Sequence, residues 1–172
     1  MTSSGRSPYA SIVGARNEVS FAIEKILVPA PGHSEQPSAT EADPKLDIAV
    51  IFTSVEATLA ALKEAGALAR SLGARITLLV AQVVPYPLAL ETPPVSIEFN
   101  ERHFRLIAGQ SRVETTVRIY LCRDGFEALA NVLNPRSIVV IGGRRRWWPT
   151  RERKLARQLR RAGHEAVFKE ME

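Results

Sequence analysis

A chain of 172 residues with a hydrophobic share of 45% has the size and make-up of one globular domain plus a tail. Its single cysteine, Cys122, excludes an internal disulfide framework and a cysteine-based zinc site, and no apolar run approaches the ~20 residues of a membrane-spanning helix. The net charge of +5 is uneven: residues 144–161 hold nine basic residues and one acid, a local +8, which leaves −3 for the rest.

Residues 1–45 are rich in Ser, Pro, Gly and Ala and read as a disordered tail and linker. A short strand is expected near 25–29, at Lys25-Ile26-Leu27-Val28-Pro29. The first twenty residues lack the apolar centre of a signal peptide, so the expected location is cytoplasmic. The domain is expected to span 46–172. Residues 46–52 form an unbroken apolar run, as in a central parallel strand. Thr53 and Glu56 then have capping-box spacing ahead of a helix over 54–72, with Val55, Leu59, Leu62, Ala69 and Leu72 inward and Gly73 as its stop. A second strand follows at 75–84 and a proline-rich loop at 85–94. A helix is expected over 96–110, a strand over 113–122, a turn at Arg123-Asp124-Gly125 and a short helix over 126–133.

Ile138-Val139-Val140-Ile141 suits a strand buried on both faces, and Gly142-Gly143 is expected to end it. Thr150 caps a basic helix over 151–161 whose Leu155, Leu159 and Ala162 share one stripe. Gly163 stops it, and 164–168 reads as the last strand. Strands alternating with helices imply an α/β fold: an open five-stranded parallel sheet with helices on both faces and right-handed crossovers. Ligands of such sheets lie beyond the strands' carboxyl ends. Here those ends hold Thr53, Ser54, Val83, Asp124, Gly142, Gly143, Arg144, Arg145 and Arg146, the candidate site for a nucleotide or anion.

The passage Ala69-Arg70-Ser71-Leu72-Gly73-Ala74-Arg75-Ile76-Thr77-Leu78-Leu79 resembles the A-x-x-L-G-A-x-[IL]-T-L-L stretch of universal stress protein domains. With the element order, the resemblance covers roughly residues 46–170. It implies strand order 3-2-1-4-5, an adenine-nucleotide-hydrolase-like fold, a stress-response role and a homodimer through the last strand, 164–168. ATP-binding members carry G-x-x-G-x(9)-G-[ST] after the fourth strand. Gly142 fits its first position, but Arg145, Leu155 and Ala156 stand at the others, and Thr53 stands where the family's nucleotide-contacting Asp is found. The usual mode of binding ATP is therefore not expected, although ATP or another adenine nucleotide stays open as a ligand.

No nucleophile–base pair or metal-ligand spacing stands out, so a binding module, not an enzyme, is the expectation, with no cofactor and no metal. His33, His103 and His164 lie in different elements. Cys122 reads as a buried thiol and Asp124 as a turn former. Trp147 and Trp148 either cover the end of the sheet or stack on a partner. The basic helix has three readings. It is a solvated face, an adjunct to an anion site at Arg144, Arg145 and Arg146, or a surface for a polyanion or acidic protein. The last would be built from Arg153, Lys154, Arg157, Arg160 and Arg161.

Overall fold

The computed structural model describes residues 23–27, 46–145, 147 and 150–171. Arg146, Trp148 and the expected tail, apart from 23–27, lie outside them. The described residues form, in chain order, β1 (Ile23–Leu27), β2 (Asp47–Ile51), α1 (Val55–Leu72), β3 (Arg75–Val83), α2 (Ile97–Ala108), β4 (Thr115–Cys122), α3 (Gly125–Val132), β5 (Ile138–Arg144), α4 (Arg151–Arg161) and β6 (Glu165–Met171).

One sheet runs β1-β4-β3-β2-β5-β6. Strands β2 to β6 are all parallel, so the five expected strands take the expected order 3-2-1-4-5. β1 is an added antiparallel strand on the outer edge of β4, with Lys25 opposite Ile119. It lies slightly ahead of the 25–29 suggested by sequence.

The unbroken apolar runs follow from burial on both faces. Ile48 and Val50 point into one core with α1 and α2, through Ala61, Leu62, Phe104 and Ile107. Ala49 and Ile51 point into the other with α3 and α4, through Leu129, Ala156 and Leu159. The inner face of α1 is a stripe of small residues, Ala57, Ala61, Ala65 and Ala69, which lets the helix sit close to the sheet. Val55 and Leu72, expected inward, are exposed because they lie in the end turns, beyond the sheet's cover. Gly73, at φ 64, ends α1 and returns its N–H to the Ala69 carbonyl. On α4 the expected stripe is corrected: Ala156 and Leu159 are buried, Leu155 is half-buried and Ala162 is exposed. A third small cluster, Val84, Leu90, Ile97 and Leu121, folds the loop after β3 over the ends of β3 and β4.

Candidate functional site at the carboxyl ends of the central strands

β2 and β5 are neighbours at the sheet's centre, and the chain leaves them for opposite faces, to α1 and to α4. An open parallel sheet leaves a crevice at such a switch point. Gly142 and Gly143 set how closely the two helices approach it. They do not end the strand as expected. β5 continues to Arg144, with Gly142 opposite Lys169, Gly143 opposite Glu170 and Arg144 opposite Met171. A side chain on Gly142 would collide with the Ala57 peptide group, whose carbonyl carbon would be 2.5 Å from the new Cβ. On Gly143 it would come 2.6 Å from the Phe168 ring and 3.3 Å from Glu152 Cβ. One glycine therefore admits the first turn of α1 and the other admits Phe168 and the first turn of α4. The pair serves close packing, not a turn around a phosphate.

A cleft of about 710 Å³ lies between these helix starts, lined by residues 54–57, by Gly143 and Arg144, and by residues 150–152. Ser54 caps α1, its Oγ accepting from the Ala57 N–H at 3.3 Å, and Thr150 caps α4 by accepting from the Arg153 N–H at 3.3 Å. Each cap serves one of the first-turn amides; the others have no partner within the helix. Both helix starts add partial positive charge to the cleft. The capping box at Thr53 is corrected, since the cap is Ser54, one residue later. Thr53 instead ties β2 to β5: its hydroxyl donates to the Gly142 carbonyl at 3.0 Å, and its N–H donates to Thr58 Oγ1 at 3.3 Å. Glu56 reaches across to Arg144 (2.8 Å), with side chains 68% and 63% exposed, so solvent screens the pair.

Of the expected site residues, Ser54, Gly143 and Arg144 line the cleft, with Gly142 packed beneath it. Arg145 turns away: its N–H donates to the Met171 carbonyl at 3.1 Å and its Nε lies 4.0 Å from Glu170. Arg146 is outside the described residues. Val83 and Asp124 belong to another corner. Val83 abuts Gly125, and Asp124 caps α3 by accepting from the Glu127 N–H at 2.9 Å, so it starts a helix where a plain turn is expected. Arg123 seals that corner, donating to the Val84 and Leu88 carbonyls at 2.7 Å each while its guanidinium sits 4.1 Å over the Tyr86 ring. Cys122 is buried, and burial, with the nearby Asp124 charge adding, pushes its thiol up to about 11.

The basic helix is less open than the sequence suggests. Arg153 pairs with Glu170 and covers the Phe168 ring. Arg160 donates from Nε and Nη2 to the Ala166 carbonyl at 2.8 and 2.7 Å. Arg153 leaves the expected solvent-facing stripe because β6 returns alongside α4, whereas Arg160 is tied to that strand and stays exposed. Lys154, Arg157 and Arg161 remain exposed. Among the described residues no helix is long and apolar enough to cross a membrane, and no group of three or more His, Cys, Asp or Glu is placed to hold a metal ion.

Sequence reading leaves Glu56, Arg151 and Glu152 out of the candidate site. The pattern that marks them is a pair of capping residues, Ser54 and Thr150, each a few residues past a central strand. Compared with protein-family models and with curated proteins, the chain gives no match.

Proposed function

We propose that this protein is a non-catalytic regulatory module of the universal stress type that binds a small phosphate-bearing anion in the cleft between α1 and α4. The supporting observation is the convergence of two capped helix starts on one cleft beside Arg144. Amides at a helix start and its partial positive charge both favour an anion. Arg144 adds a guanidinium fork suited to phosphate. The familiar glycine cradle for ATP does not enter this reading, because the Ala57 peptide group fills the space above Gly142.

The cleft also holds two carboxylates, Glu56 and Glu152, each in a first helical turn. They occupy the position an anion would prefer. A ligand therefore enters by taking Arg144 away from Glu56. Calorimetry with inorganic phosphate, AMP, ATP and a cyclic dinucleotide tests this. Binding should weaken roughly tenfold in Arg144→Ala, the loss of about 1.4 kcal/mol expected for one charge-assisted contact. It should tighten severalfold in Glu56→Gln. No binding by any of the four, or binding indifferent to both substitutions, overturns the proposal.

A further inference from the structure

We infer that the groove between α4 and the free edge of β6 docks an extended acidic peptide, which joins the sheet as a further strand. β6 pairs with β5 on one side only. The Glu165 N–H donates to the Ser137 carbonyl, and the Met171 carbonyl accepts from the Arg145 N–H. Residues 165, 167, 169 and 171 thus turn their peptide groups toward β5. Alternation along the strand turns those of Ala166, Phe168 and Glu170 outward. The Ala166 carbonyl is already taken by Arg160, which closes one end of the edge. Phe168 and Glu170 leave two residues' worth of donors and acceptors for an incoming strand.

Beside them runs a groove of about 500 Å³, with Trp147, Arg153, Arg157, Arg160 and Phe168 among its lining residues. Trp147 is 94% exposed. Three arginines face one carboxylate there, Glu170, and Glu170 is held by Arg153. Arg157 is exposed and forms no ion pair among the described residues. In an added strand alternate side chains fall on the α4 side. Acidic residues there meet Arg157 and Arg160, and their methylene groups lie along the groove that Trp147 and Phe168 also line. Main-chain pairing gives affinity in this mode and side-chain pockets give specificity. A second copy of the chain would bring the same positive groove against this one. A nucleic acid could meet the arginines but could not pair with the strand.

The test uses a fluorescein-labelled octapeptide of alternating glutamate and valine, read by anisotropy, with amide exchange of the protein followed by NMR. The peptide should bind and slow exchange at the Phe168 and Glu170 amides. Arg157→Glu, on an exposed position whose circular dichroism should stay native, should weaken binding about tenfold or more. N-methylation of alternate peptide amides should weaken it as strongly. Four results overturn the inference. They are no binding, equal binding by the N-methylated peptide, displacement by heparin without any protection at Phe168 and Glu170, and a β6-paired homodimer that the peptide fails to dissociate.

Discussion

A methyl group on Gly142 would have to displace the Ala57 carbonyl, which is fixed in the first turn of an 18-residue helix. The Phe168 ring opposite Gly143 is the far end of a side chain and can swing aside. Gly142→Ala should therefore cost at least the ~1–3 kcal/mol typical of forced overpacking, and Gly143→Ala clearly less. For a chain of this size that is a fall in Tm of about 2–4 °C per kcal/mol, read by thermal unfolding. Equal melting of the two variants would mean that α1 does not sit against β5 as described. The same pair shows where sequence reading reaches its limit. Two glycines after a β-branched run signal a special backbone position. They do not distinguish a loop that bends around a ligand from a straight strand that two helices must approach closely. That distinction depends on what stands opposite, and Ala57, Glu152 and Phe168 come from three other elements.

Helix α4 was legible in its limits and not in its orientation. Thr150 as cap and Gly163, at φ 91, as stop are local signals, and they frame the helix as expected. Its inner face is set by the sheet. Ala156 and Ala162 are equally small, so composition cannot choose between a stripe through 156 and 159 and one through 155, 159 and 162. The observed burial predicts that Ala156→Lys, which places a charge in the core, destabilises by about 3 kcal/mol or more, while Ala162→Lys stays within about 0.5 kcal/mol. Denaturant unfolding separates the two readings, because the stripe expected from sequence predicts the opposite ranking. The links of Arg153 to Glu170 and of Arg160 to the Ala166 carbonyl were hidden for a related reason. They arise because β6 returns beside α4, and the sequence spacing within the helix carries no trace of that.

For the molecule as a whole, the parallel sheet was legible because β2 and β5 contain unbroken apolar runs and each crossover between the parallel strands contains a helix. The pairing of β1 with β4 was not, since a five-residue strand carries no information about its partner. This strand covers an edge that would otherwise offer unpaired peptide groups along eight-residue β4. A chain lacking residues 1–45 should therefore self-associate, whereas one lacking only residues 1–20 should remain as dispersed as the full chain. Light scattering at matched concentrations checks this, and equal dispersity of the two truncated chains would count against the protective role of β1. The same pairing also has a consequence in time. Lys25 faces Ile119, 94 positions further along (119 − 25). At roughly 5–20 residues per second, a ribosome needs about 5–20 s to deliver the second after the first. Throughout that interval β2, α1, β3 and α2 emerge while β1 has no strand to join. Of the described strands, the first made thus finds its partner only after β2 and β3 have emerged, and the length of its wait is set by the speed of translation.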